Sequence, residues 1–149
     1  MKKHQLHTIG RNELVDLPKW DIEEIEAKID TGAYSSSLHC HHIETFLNKK
    51  QEWVRFNLLD PEHPAYNGKL IELPVFDRRE VKSSNGLSEV RIFVQTSISF
   101  FKEEYTIEFS LTDRSEMKYP LLLGRKFLSK KFIVDVSKRN LSVKQNKVH

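Results

Sequence analysis

The side chain best placed to do chemistry is the carboxylate of Asp30, at the end of an apolar-alternating segment spanning residues 27–33. Alternation lets the apolar residues face a core while the acid is carried to the end of the strand. Gly32 permits a sharp turn, and Thr31 offers a hydroxyl that can lock the loop. A carboxylate held in this way can share a proton with a second carboxylate and activate a water for peptide-bond hydrolysis. The chain has one such loop, so the second acid is expected from another copy in a two-fold dimer.

The chain has 149 residues, of which 38% are hydrophobic and 30% are charged. This balance is typical of a globular protein and excludes a disordered one. We therefore predict a single domain over residues 1–149, with a core from about residue 9 to residue 143, able to bury roughly 70% of its unfolded surface. The net charge of +3 comes from interspersed charges of both signs and does not indicate nucleic-acid binding.

Localisation is predicted from what the sequence lacks. It contains no apolar run near the roughly 20 residues that span a bilayer, and its first residues lack the core of a signal peptide. The single cysteine, Cys40, cannot form an internal disulfide, in keeping with a reducing compartment. We expect a cytoplasmic protein that does not interact with membranes.

Short segments with period-two alternation predict an all-β protein, a closed barrel with one short C-terminal helix at residues 124–128. The clearest strand is 52–58, whereas 21–29 fits both a helical and a strand period, and the turn at Gly32 favours the strand. The remaining predicted strands lie within residues 9–17, 39–46, 70–81, 89–94, 98–101, 105–111, 121–123, 132–136 and 141–143.

Asn85-Gly86 is the strongest hairpin signal in the chain, and it joins two polar strands. Such a hairpin has too little apolar surface to be buried on both faces. It is predicted either as a mobile cover over a cleft or simply as a surface hairpin, with equal weight.

A second motif, Leu121-Leu122-Leu123-Gly124-Arg125, follows late in the chain. Together with Asp30-Thr31-Gly32-Ala33 and the strands between, it resembles the retropepsin-like aspartic peptidases. The match is closer to a bacterial and archaeal family labelled ATP-dependent zinc proteases, and it covers about residues 9–143. Further segments carry that resemblance: 28–33, 35–39, 53–56, 78–81, 111–114 and 119–125.

The resemblance implies roles for individual residues. Asp30, Thr31 and Gly32 would form the catalytic loop, supported by Ala33, His39, Gly124 and Arg125. The hairpin would be a flap that binds substrate through the following residues: Arg78, Arg79, Ser83, Ser84, Asn85 and Gly86. One departure stands out: Tyr34 occupies the position where retroviral enzymes usually carry an acid that pairs with the arginine, so Arg125 must find another partner.

The family label also implies a bound zinc ion and the use of ATP. His39 and His41 are weak zinc candidates, because they share one face of a predicted strand while Cys40 and His42 share the other. There is no His-Glu-x-x-His motif for a catalytic zinc site. With five scattered glycines and no Gly-x-x-x-x-Gly-Lys loop, any use of ATP would belong to a partner. We therefore expect no cofactor.

The sequence leaves three functions open. The first is a homodimeric aspartic endopeptidase, the second a catalytically silent module that binds a peptide by strand addition, and the third a zinc-dependent peptidase. The resemblance also implies a partner, an ATP-grasp ligase that adds glutamate tails to proteins, and hence an acidic peptide or protein substrate. Arg55, Arg78 and Arg79 are then candidates for cations that bind carboxylates.

Overall fold

The computed structural model describes residues 6–59, 61–64, 66–82, 85–113 and 119–146. Within them lie eleven strands, two short α-helices and one turn of 3₁₀ helix at Pro18–Trp20. None of the helices in these residues is long and apolar enough to cross a membrane. The strands are β1 His7–Ile9, β2 Asn12–Leu17, β3 Ile22–Ile29, β4 Ser36–Asn48, β5 Gln51–Leu58, β6 Leu70–Pro74, β7 Asp77–Lys82, β8 Ser88–Phe100, β9 Glu103–Thr112, β10 Leu121–Leu123 and β11 Phe132–Val134, and the helices are α1 Arg125–Leu128 and α2 Leu141–Asn146.

Six strands form a ring, in the order β10, β3, β2, β8, β9, β4 and back to β10. The pairings β10–β3 and β4–β9 are parallel, and the others in the ring are antiparallel. The link between β2 and β8 consists of one register pair, Asp16 with Ser99. The mostly-β fold predicted from the sequence is thus confirmed as a ring of strands, although the barrel is not clearly closed at this link.

The ambiguous period of residues 21–29 has a structural cause. Ile25, Ala27 and Ile29 are buried with strand spacing, but Ile22 is buried too, three positions before Ile25. Glu24, between them, adopts a left-handed φ of +54° and donates its N–H to Asp16 at 2.8 Å. This local irregularity changes the face on which the strand presents its side chains, so a strand imitates a helical spacing.

Several predicted strands have different bounds in the structure. β4 runs for 13 residues, further than the predicted 39–46, and it carries an irregularity at His42, where φ is +57°. β8 merges the two strands that were predicted at 89–94 and 98–101. The turn after β8 is made by Phe101 and Lys102, both left-handed without being glycine, so the usual turn signal is missing from the sequence.

The predicted final strand at residues 141–143 is wrong, because these residues begin helix α2. The prediction of one short helix is corrected to two for the same reason. Glu13 explains the difference: this fully buried carboxylate accepts N–H groups from Leu141 at 3.1 Å, Ser142 at 2.8 Å and Gly10 at 2.7 Å. It satisfies two of the free N–H donors at the start of the helix. Because Glu13 lies 128 positions before Leu141, a local sequence pattern cannot predict this contact.

We predict that Glu13→Gln lowers the free energy of unfolding by about 2 kcal/mol, because an amide group would face backbone donors that a carboxylate accepts. Urea denaturation of the purified protein measures this. Glu23→Gln, at an exposed position, is the matched control and should change the value little. Equal stability of the two variants would contradict the capping role of Glu13.

Candidate active site

The Asp30 loop is held at its base by the ring of strands. β3 runs parallel to β10, with Ile29 opposite Leu123. The next residue, Asp30, donates its backbone N–H to the carbonyl of Leu123 at 2.9 Å. Its half-buried carboxylate accepts the N–H of Gly32 at 3.0 Å, and its carbonyl accepts the N–H of Ala33 at 3.2 Å. The turn therefore fixes the orientation of the carboxylate through its own backbone.

The Gly-Arg motif supports the other side of this loop. Arg125 donates its backbone N–H to the carbonyl of Ala33 at 2.8 Å, and Lys126 donates to that of Tyr34 at 3.0 Å. The N–H of Gly124 is bound by the Ser36 hydroxyl oxygen at 3.0 Å. The structure thus brings together the two motifs that lie some ninety residues apart in the sequence.

The side chain of Arg125 has other partners in place of the acid whose position Tyr34 occupies. Its Nη1 donates to the carbonyl oxygen of Thr31 at 3.0 Å, and its guanidinium carbon lies 5.9 Å from the centre of the Tyr34 ring. The cation therefore contacts the Asp30 loop itself and one aromatic face beside it. The tyrosine that departs from the retroviral pattern is accommodated by this contact.

Close backbone approach makes Gly124 sterically irreplaceable. A Cβ there would lie 2.5 Å from the carbonyl oxygen of Ser35. We predict that Gly124→Ala lowers the free energy of unfolding by about 2–3 kcal/mol, because backbone must shift to relieve the contact. Thermal and urea denaturation measure the effect.

Gly86→Ala is the comparison for that prediction. A Cβ at Gly86 would have no atom of the described residues within 4 Å, but the φ of this residue is +84°. Its substitution should therefore cost about 1 kcal/mol through backbone strain alone. If Gly124→Ala costs no more than Gly86→Ala, the steric explanation is wrong.

The hairpin predicted as a flap is present, formed by β7 and β8 with Asn85 and Gly86 at the turn. Ser83 and Ser84 lie outside the described residues. Near the turn, Leu87 and Val90 are 69% and 64% exposed. The hairpin thus presents apolar side chains close to its tip, although its strand β7 is mostly charged.

Arg78 and Arg79 are both engaged by carboxylates of the chain. Arg78 forms a bidentate pair with Glu52, and its hydrogen bond holds the pKa of that carboxyl below its ordinary value. Arg79 binds Asp77 at 2.6 Å and Glu108 at 2.8 Å, and it lies over the Phe93 ring. To bind a substrate carboxylate, either guanidinium would have to share or break these pairs.

Glu108 is a functional candidate that the sequence patterns did not indicate. One of its oxygens accepts both Arg79 of the flap strand and Lys126 of helix α1, the latter at 2.7 Å. Burial acts to raise the pKa of Glu108, but the hydrogen bonds from the two cations outweigh it, and the pKa lies below its ordinary value. The carboxylate thus joins hairpin strand β7 to the helix that supports the Asp30 loop. No short-range pattern links residues 79, 108 and 126.

The remaining candidates lie further along β4. His39 is buried, donates its backbone N–H to Pro120 and accepts that of Leu59. It is three strand residues beyond Ser36, about 10 Å along the strand. Its role in orienting the loop stays a prediction.

The described side chains do not fit a zinc site. His41 stacks on Tyr66 with ring centres 6.1 Å apart, and both of its ring nitrogens are buried without a hydrogen-bond partner among the described residues. A protein zinc site takes three or four ligands. In the described part of the chain, no three His, Cys, Asp or Glu side chains group in this way.

The family described as retropepsin-like aspartic endopeptidase RimB matches residues 8–145. The chain belongs to this RimB-like family. The match includes the Asp30 loop, the hairpin and the Gly-Arg motif, and it confirms the resemblance to retropepsin-like peptidases that the sequence motifs predict.

Individual relatives carry a different name. Proteins named probable alpha-L-glutamate ligase from Shewanella pealeana and Shewanella halifaxensis are 38% and 37% identical over 87% and 94% of this chain. The chain spans only 28% and 31% of their lengths. A crystal structure of a Legionella pneumophila protein of unknown function superposes with a TM-score of 0.74 at 25% identity, covering 93% of this chain and 99% of that one.

Proposed function

We propose that the protein is an aspartic endopeptidase that acts as a homodimer, with one Asp-Thr-Gly loop from each chain. The observation that carries the proposal is the support of the Asp30 loop from both sides, by β10 through Leu123 and by the start of α1 through Arg125. Such bracing fixes a carboxylate at a defined position, as a proton-sharing pair requires. Membership of the RimB-like family supports the same chemistry.

In this mechanism, Asp30 and its counterpart in the second chain share one proton. The charged carboxylate takes a proton from the attacking water, while the protonated one donates a hydrogen bond to the scissile carbonyl oxygen. Thr31 is proposed to hydrogen-bond across the two-fold axis and to fix the two loops relative to each other. Gly32 has no side chain and Ala33 has only a methyl group, so the two loops can approach each other closely.

The dimer is the first part to test. One chain has a mass of 17.6 kDa, so the active species should have twice that mass, 35.2 kDa. Light scattering at micromolar concentration, with and without a non-cleaved peptide, measures it. We expect the dimer at least when peptide is present. A protein that cleaves peptide while remaining monomeric under both conditions would exclude the shared site.

The catalytic role of Asp30 gives a second test. We predict that Asp30→Asn abolishes peptide cleavage, because the amide cannot take a proton from water, while thermal stability is nearly unchanged. Asp21→Asn, at an exposed position, is the control and should retain full activity. Cleavage by Asp30→Asn at the wild-type rate would remove this mechanism.

The proposed substrate is a protein bearing glutamate residues, and the proposed partner is a glutamate ligase. Relatives much longer than this chain are named alpha-L-glutamate ligases. A ligase that adds glutamate and a peptidase that removes it would act on the same acidic segment. We therefore propose that this chain hydrolyses peptide bonds within or next to such a segment.

The rival function is a module that binds the acidic peptide and does not cleave it. It is favoured by the ligase names of the relatives, because such a module could present a tail to a ligase. Tight binding of a glutamate peptide to the wild-type protein without turnover would support the rival. Turnover that depends on Asp30 would support the peptidase.

A further inference from the structure

A cavity of about 120 Å³ adjoins the catalytic loop. Ser35 and Ser36, which follow the loop directly, form one side, and Lys126 of the adjoining helix forms another. Ser35 is five residues from Asp30, so the two are at most about 17 Å apart at the rise of an extended strand. An extended substrate advances by the same rise. The cavity is therefore within reach of a substrate residue no more than about five positions from the scissile bond.

The cavity is lined by groups suited to a carboxylate. Lys126 and Lys131 contribute two positive charges and Glu108 one negative charge, which leaves one net positive charge. Gln95 and Thr106 add neutral polar side chains. The volume has room for several water molecules, which is the size of a short acidic side chain.

Both lysines are held in place and keep capacity for a ligand. Lys126 donates to Glu108 at 2.7 Å, and Lys131 donates to the carbonyl of Phe127 at 2.8 Å while lying over its ring. An ammonium group has three donors, and each of these bonds uses one. Holding the ammonium groups beforehand reduces the entropy that binding would cost.

The two arginines of strand β7 are less available than the lysines. Arg79 lies between Asp77 and Glu108, and Arg78 is paired with Glu52. Neither of them lines the cavity, and neither does Arg125, whose side chain binds the carbonyl of Thr31. Discrimination between an acidic and a neutral side chain therefore falls to the lysines.

We infer that this cavity is a specificity subsite, in which Lys126 and Lys131 bind the carboxylate of a substrate side chain several residues from the scissile bond. The inference deepens the proposed function and rests on it for the position of the peptide. Glu108 sets the strength of the subsite, because it accepts a hydrogen bond from Lys126 and offsets one positive charge of the cavity.

The test uses peptides of about ten residues, which span roughly 33 Å when extended, each composed of glutamate with Gln replacing Glu at a single position. The wild-type protein should cleave the all-glutamate peptide about tenfold faster, in kcat/KM, than the peptide with Gln at one particular position, since a charge-assisted hydrogen bond contributes at this scale. In the double variant Lys126→Gln/Lys131→Gln, this ratio should fall close to one. Because a ratio is measured, any general loss of activity cancels.

Two further variants sharpen the result. The double variant Lys19→Gln/Lys49→Gln makes the same charge change at exposed positions outside the cavity and should keep the wild-type ratio. Glu108→Gln removes the negative charge but keeps an amide oxygen that can accept from Lys126, so it should raise the ratio above that of the wild type. An unchanged ratio in the double variant, or no position at which Gln matters, would overturn the subsite.

Binding to the Asp30→Asn protein separates this inference from the proposed function. Fluorescence polarisation should show about tenfold weaker binding of the all-glutamate peptide when Lys126 and Lys131 are also replaced by Gln, with little change for the peptide carrying Gln at the sensitive position. Lysine-dependent binding without any cleavage by the wild type would refute the peptidase and keep the subsite. Cleavage without lysine-dependent selectivity, or no peptide binding at all, would refute the subsite.

Discussion

The close packing of Gly124 against the backbone of residues 34–36 is the contact on which the rest of the site depends. It lets three successive N–H groups, those of Gly124, Arg125 and Lys126, reach acceptors at or just beyond the Asp30 loop. A side chain at position 124 would hold the two backbones apart and weaken all three bonds together. The bonds are short-range and directional, so the loop inherits its position from strand β10 and helix α1 rather than from its own sequence.

The same helix carries charge as well as support. Lys126 holds the loop through its backbone and contacts Glu108 through its side chain, and Glu108 in turn binds Arg79 of the hairpin. Loop, helix and hairpin are thus linked through one carboxylate whose pKa the two cations keep below its ordinary value, against the effect of burial. A movement of the hairpin that separated Arg79 from Glu108 would leave Lys126 as that oxygen's cation. The charge balance around Glu108 is therefore coupled to the position of the hairpin.

The sequence predicted the parts of this protein that depend on local pattern. Alternation identified most strands, Asn85-Gly86 identified the hairpin, and the two motifs at Asp30 and Gly124 identified elements that prove to be in contact. Contacts between distant side chains could not be predicted in this way. Glu13 is one acid in a polar segment of the sequence, yet it is buried and caps a helix more than a hundred residues away. Glu108 and the lysines of the cavity escaped prediction for a similar reason, because the two cations of Glu108 come from other elements than its own strand β9. Conversely, the adjacent Arg78 and Arg79 are conspicuous in the sequence as candidates to bind substrate, but in the structure Arg78 is paired with one carboxylate of the chain and Arg79 with two.

The reactive side chains of the described residues explain why the proposed mechanism calls for a second chain. Cys40 is fully buried, and burial raises the pKa of its thiol, which disfavours the thiolate that a cysteine nucleophile needs. Asp30 is then the candidate reactive group, and its loop is held by hydrogen bonds from two sides. A single carboxylate cannot be charged to activate water and protonated to polarise a carbonyl at the same time. One chain supplies half of such a pair, because its loop is held from both sides and its carboxylate is oriented by the N–H of Gly32. Two-fold symmetry would supply the other half, held by the same contacts.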